Sequence, residues 1–164
     1  MATSLILGVG NLLLTDDGAG IHAARVLANR LAGRTDVQVL DAGTLSFTLA
    51  PVIESAERLI ILDATQLDRP AGAVECLLDA EFDEFLGGAR LSVHEVGLRD
   101  VIDGIRLSDR LPPERALIGI QPASLDWGME LTRGVAAGVD TAVQMALDLL
   151  EFWPARSASG SRAA

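Results

Sequence analysis

The stretch Leu5-Ile6-Leu7-Gly8-Val9-Gly10-Asn11-Leu12-Leu13-Leu14-Thr15-Asp16-Asp17-Gly18-Ala19-Gly20 decides the fold. Leu5 to Val9 is a short apolar run broken by glycine, the pattern of a buried strand. Gly8 to Gly20 reads as a loop with four glycines and two aspartates. Beyond it, Ile21, Ala24, Val26, Leu27 and Leu31 recur at helical spacing, which predicts a helix over Ile21–Leu31. A buried strand, a glycine-rich loop and an amphipathic helix make the opening unit of an α/β fold.

The same alternation continues outward. Val37–Leu40 reads as a second strand, ending in Asp41-Ala42-Gly43-Thr44. Leu45–Glu57 follows as a short helix interrupted near Pro51, and Leu59-Ile60-Ile61-Leu62 is the most apolar strand, ending in Asp63. Ala73–Leu78 is a weaker strand, suited to a sheet edge in either direction. Ser92–Leu107 is helical, Ala116–Ile120 is a strand, and Leu131–Phe152 is a long amphipathic helix that Pro154 should end. These elements predict a three-layer α/β sandwich, a mainly parallel twisted sheet of about five strands with helices on both faces. Residues 1–153 are expected to form one domain and 154–164 a disordered tail.

Composition narrows the function classes. The chain carries 23 acidic residues against 13 cations, all of them arginine, for a net charge of −10. It has no basic run for nucleic acid or an anionic membrane. No apolar run reaches the roughly 18 residues a membrane span needs, and Met1 to Gly10 lacks a basic signal region. Cys76 is the only cysteine, so an internal disulfide and a thiolate-cluster metal site are both excluded. A reducing compartment, the cytoplasm, fits these features.

In an open α/β sheet, sites form beyond the carboxyl ends of the strands. The first strand delivers Gly10, Asn11, Asp16 and Asp17 there, the second Asp41 and the third Asp63. Aspartate at a strand end is often only a turn former; three such segments on one edge point to a site. His94 lies in Ser92-Val93-His94-Glu95, which fits a capping box with Ser92 as N-cap and Glu95 at the third position. The helix dipole there disfavours imidazolium, which predicts a neutral ring able to bind metal. The plainer role for His94 is to solvate a helix end. His22 reads as a surface or packing residue.

Several familiar sites are absent. Gly8-Val9-Gly10 follows a strand as a dinucleotide fingerprint does, but the third glycine position holds Leu13. There is no phosphate-binding Gly-Lys-Ser/Thr and no Gly-x-Ser-x-Gly nucleophile elbow. His94-Glu95 opens like a zinc-protease helix, but residue 98 is leucine. Two or three carboxylates with one imidazole remain, a donor set for a borderline divalent ion such as nickel or zinc held in a partly open site.

The opening motif, with Asp41-Ala42-Gly43-Thr44, Ile61-Leu62-Asp63-Ala64, Ser92-Val93-His94-Glu95-Val96-Gly97-Leu98 and Gly119-Ile120-Gln121-Pro122, resembles the nickel-iron hydrogenase maturation endopeptidases. The likeness runs in order from about Leu5 to Leu150. It implies a peptidase that removes a C-terminal extension from the hydrogenase large-subunit precursor after nickel insertion. It further implies Asp17, Asp63 and His94 as metal ligands, with Asp41 a candidate for positioning or general-base work. Nickel would be carried by the precursor, with no tightly bound cofactor of the enzyme's own. The enzyme is expected to act as a monomer. Two rival readings share the same side chains: a nickel-dependent checkpoint that binds the precursor without cutting it, and a self-sufficient zinc hydrolase.

Overall fold

The computed structural model describes residues 3–89 and 91–160. Five strands form one sheet: β1 (Ser4–Val9), β2 (Val37–Gly43), β3 (Arg58–Ala64), β4 (Val74–Leu78) and β5 (Glu114–Ile120). Their spatial order is β2-β1-β3-β5-β4. All pairings are parallel except that of β4 with β5, so the weak strand is an antiparallel edge. β1 and β3 are buried along their whole length, which is why they read as unbroken apolar runs rather than alternating ones.

The helices are α1 (Ala19–Arg30), α2 (Ala50–Glu54), α3 (Ala80–Leu86), α4 (Val93–Leu107) and α5 (Arg133–Gly160). Strand parity divides the core. Ile6, Ile60, Leu62 and Ile118 pack with Ala23, Leu27, Val139 and Val143 of α1 and α5. Leu5, Leu7, Leu59 and Ile61 pack on the other face with Ile53, Phe82, Leu98 and Ile102 of α2, α3 and α4. The sandwich is therefore three-layered.

The elements differ from expectation in three places. The seven-residue helix α3 is absent from the sequence reading, because its run Glu81, Asp83, Glu84 masks the two inward residues Phe82 and Leu86. β5 begins earlier than Ala116, at Glu114, whose carboxylate takes a 2.6 Å hydrogen bond from Arg58 Nε across the β3–β5 register. α5 continues past Pro154 to Gly160. The proline removes one main-chain donor, but Trp153 is fully buried just before it and alanine and arginine follow. The part of the expected tail beyond residue 160 lies outside the described residues.

Two close approaches fix the loop after β1. Gly10 has φ +141°, and a Cβ there would lie 1.9 Å from the Asp17 carbonyl oxygen. A Cβ on Gly20 would lie 2.1 Å from the Leu62 carbonyl, so α1 can start against β3 only with glycine at that position. The glycines serve tight packing of loop and helix, consistent with the missing dinucleotide spacing.

Candidate active site

β1 connects to β2 on one side, while its other neighbour is β3. The crevice beyond the carboxyl ends of β1 and β3 is thus the topological switch point of the sheet, where α/β folds place ligands. Asp17 reaches it from a single 3-10 turn, Thr15–Gly18, in the loop after β1. Asp63 reaches it from the carboxyl end of β3, and His94 from the start of α4.

Two of these side chains meet directly, and the third, Asp63, lies near enough for the charge of Asp17 to act on it. His94 Nε2 lies 2.8 Å from Asp17 Oδ2, which also accepts the Asn11 main-chain N–H at 2.9 Å. Asp63 is fully buried and lies deeper. Neither of its carboxylate oxygens has a well-formed hydrogen bond among the described residues, the neighbouring Ala64 N–H acting on the group only as the smallest influence, and His94 Nδ1 has none either. Burial, followed by the negative charges of Glu95 and Asp17, pushes the Asp63 carboxyl well above the usual carboxylate range.

Glu95 is the site residue that the sequence reading recognised only as a cap. The capping box forms as expected: Ser92 Oγ accepts from the Glu95 main-chain N–H at 3.2 Å, and Glu95 Oε2 accepts the Ser92 N–H at 2.7 Å. The same carboxylate is also fully buried beside Asp63, with Oε1 unpartnered among the described residues. Burial raises its pKa, against hydrogen bonds from Ser92 and the Thr65 hydroxyl that lower it. The sequence signals only the local cap, since Asp63 lies on a different element of the chain.

The helix start does not set the direction of the His94 pKa. The Asp17 carboxylate raises its pKa, outweighing burial. A helix N-terminus contributes about 0.3–1 kcal/mol, whereas a charged hydrogen bond contributes about 1.5–3 kcal/mol, so the contact decides the sign.

Asp41 is not brought to this site. Leu40 and Ala42 pack on the α4 side of the sheet, which turns Asp41 to the α1 side. There it is exposed, pairs with Arg25 at 3.5 Å, and accepts the Gly43 N–H at 3.0 Å as a turn former. Asp16 is buried for a structural reason. Its carboxylate accepts the N–H groups of Ala123, Ser124 and Thr132 at 2.8–3.0 Å and the Thr132 hydroxyl. Burial pushes its pKa up, but these bonds outweigh that and hold it low.

Among the described residues, no three His, Cys, Asp or Glu side chains stand as a ready-made metal-holding group. The donors nonetheless suit a divalent ion: two aspartates, one imidazole, and three unsatisfied buried atoms facing inward. Asp17 and His94 are engaged with each other, so a cation joins them only by replacing the proton between them.

Carboxylates around one imidazole at the switch point of a mostly parallel sheet are groups able to move a proton or hold a cation. Residues 21–149 match the family model described as hydrogenase maturation protease. The chain is 35% identical over 150 residues to the hydrogenase expression/formation protein HupD of Bradyrhizobium diazoefficiens, covering 91% of this chain and 78% of that protein. It is 33% identical over 146 residues to the hydrogenase 2 maturation protease of Escherichia coli, covering 89% of each. Its fold is similar to that of the hydrogenase maturating endopeptidase HybD from E. coli, with a TM-score of 0.85 at 32% identity over 91% of this chain and 92% of that one. A HybD NiFe hydrogenase maturation protease from Thermococcus kodakarensis gives a TM-score of 0.78 at 37% identity, covering 90% of this chain and 98% of that one. The chain belongs to the hydrogenase maturation protease family and is a peptidase. No helix among the described residues is long and apolar enough to cross a membrane.

Proposed function

We propose that this protease removes the C-terminal extension of a nickel-iron hydrogenase large-subunit precursor once nickel has been inserted, and that Asp17, Asp63 and His94 read the nickel. The observation that carries this reading is Asp63: a fully buried carboxylate with both oxygens unpartnered among the described residues, beside an Asp17–His94 pair. Such a group is costly to keep dry unless a positive charge comes to it. The pocket offers no thiolate, because the lone Cys76 lies on β4 away from the switch point. Two carboxylates and an imidazole hold free metal only modestly. Nickel already held by the substrate would complete its shell here and present the scissile segment in a fixed position.

The enzyme's own groups have defined tasks in this scheme. His94 carries a proton on Nε2 toward Asp17 and must give it up for that nitrogen to become a ligand. Burial makes Glu95 and Asp63 hold their protons more tightly than free carboxyls do; a cation on the loaded precursor would take the place of those protons, and the nickel-free precursor brings nothing to do so. A peptidase has to cut, which favours this reading over a non-hydrolytic checkpoint.

The test compares nickel-free and nickel-loaded precursor at equal concentration, with products identified by mass spectrometry. Only the loaded form should be shortened. Equal rates would show that the enzyme reads peptide sequence alone. Near-stoichiometric zinc in the purified enzyme would instead favour the self-sufficient hydrolase.

A further inference from the structure

A strip of exposed apolar side chains borders the site. Leu13, Leu125, Trp127 and Met129 expose 49%, 54%, 83% and 66% of their surfaces. The chain has only two tryptophans; Trp153 is fully buried, while Trp127 is the most exposed aromatic among the described residues. Large apolar groups grouped this way on a surface mark a contact with another molecule.

Hydrogen bonds tie the strip to the site. The Asn11 N–H donates to Asp17, and the Asn11 side-chain oxygen accepts the Leu13 N–H at 2.9 Å. The Leu13 carbonyl accepts the Gly128 N–H at 2.9 Å, and the Gly128 carbonyl accepts the Thr15 N–H at 2.7 Å. The Thr15 hydroxyl donates to the Asp126 carbonyl at 2.6 Å. Asp16, one residue from Asp17, clamps the base of the same loop through Ala123, Ser124 and Thr132. A buried carboxylate is thus committed to holding Trp127 and Met129 beside the reactive crevice.

The strip is also charged in one sense. Leu125-Asp126-Trp127-Gly128-Met129-Glu130 alternates apolar residues with exposed carboxylates, on a chain of net charge −10. Its complement is an apolar surface ringed by lysine or arginine. A second copy of this acidic chain and an anionic membrane both lack that complement.

We propose that Leu13, Leu125, Trp127 and Met129 form a docking surface for the folded body of the large-subunit precursor, at an apolar patch rimmed by basic residues. This rests on the functional reading above and assigns selection of the precursor to a surface separate from the metal-reading side chains. Trp127 is the anchor, since tryptophan dominates such contacts. Met129 adapts its shape to the partner.

Two measurements test this on the intact enzyme. In enzyme made with fluorinated tryptophan, Trp127→Phe assigns the two fluorine resonances. Adding equimolar nickel-loaded precursor should move the Trp127 resonance and leave that of Trp153 in place. In steady-state cleavage, Trp127→Ala should raise KM roughly tenfold or more with kcat within about twofold, and Trp127→Phe should recover most of the loss. An unchanged kcat/KM in Trp127→Ala overturns the proposal. So does a Trp127 resonance that moves with enzyme concentration alone, or only with phosphatidylglycerol vesicles. Wild-type enzyme that leaves the precursor uncut refutes the functional reading instead; the fluorine titration then still decides docking, a still resonance refuting it and a moving one upholding it.

Discussion

Replacing Asp63 by asparagine should make this protein more stable and inactive at once. Asp63 is fully buried, its oxygens are unpartnered among the described residues, and burial with the charges of Glu95 and Asp17 raises its pKa strongly. Its folded-state pKa lies above the unfolded one, so the folded state binds more protons between the two values. Stability contributed by the protonated group is complete below about pH 4 and is lost as pH rises through that window. Each tenfold change in proton affinity is worth about 1.4 kcal/mol. An asparagine amide left unpartnered gives back about 1 kcal/mol. At pH 8 relief of the buried charge outweighs that loss, so the Tm of the variant should lie above that of the wild type. Calorimetry of wild type and Asp63→Asn at pH 4 and pH 8 reads it. The gap should open at pH 8 and close at pH 4, while cleavage of loaded precursor is lost at both. A loss of Tm at pH 8, or a gap independent of pH, would refute the electrostatic reasoning.

Other outcomes follow from neighbouring residues. His94 has its pKa raised by Asp17, so its stabilising contribution is full below about pH 6.5 and fades as pH rises through the folded value; the Tm deficit of His94→Ala should therefore shrink at alkaline pH. Asp16 has its pKa lowered by its four donors despite burial, so Asp16→Ala should cost about 3 kcal/mol near neutrality and progressively less below about pH 4, as measured by urea unfolding. Leu62→Ala removes a fully buried side chain from the central strand and should cost about 2–5 kcal/mol without changing kcat of the folded fraction.

The parallel core was legible because β1 and β3 are buried on both faces and therefore read as unbroken apolar runs. The same rule of strand ends misplaced Asp41. It selects the edge of the sheet but ignores the face, and alternation along a strand sends successive residues to opposite faces. Asp63 shares parity with Leu59 and Ile61, under α4; Asp41 opposes Leu40 and Ala42 and meets Arg25 instead. Parity could have been read from the residues, whereas the upward direction of the His94 pKa could not. That depends on a 2.8 Å contact between residues 77 apart in sequence, which no local rule supplies. The burial of Glu95 was hidden for the same reason: its cap is local and its neighbour Asp63 is not.

The site's two halves differ in how they are satisfied, and the difference bears on the proposed role of nickel. Asp17 Oδ2 takes donors from Asn11 and His94, so that oxygen is satisfied with a proton in place, while His94 Nδ1 has no partner among the described residues. Asp63 and Glu95 leave three buried oxygens without a well-formed hydrogen bond among the described residues, the Ala64 main-chain N–H and the Thr65 hydroxyl offsetting less than burial costs. Protons relieve this half only in part, because a proton supplies one hydrogen bond and leaves the remaining lone pairs dry. A divalent charge satisfies several at once. On the proposed reading, the cation that relieves the pocket arrives attached to the substrate, so the energetic gain appears only when a loaded precursor docks. The folded enzyme carries the cost in the meantime, as active sites do when stability is set aside for function.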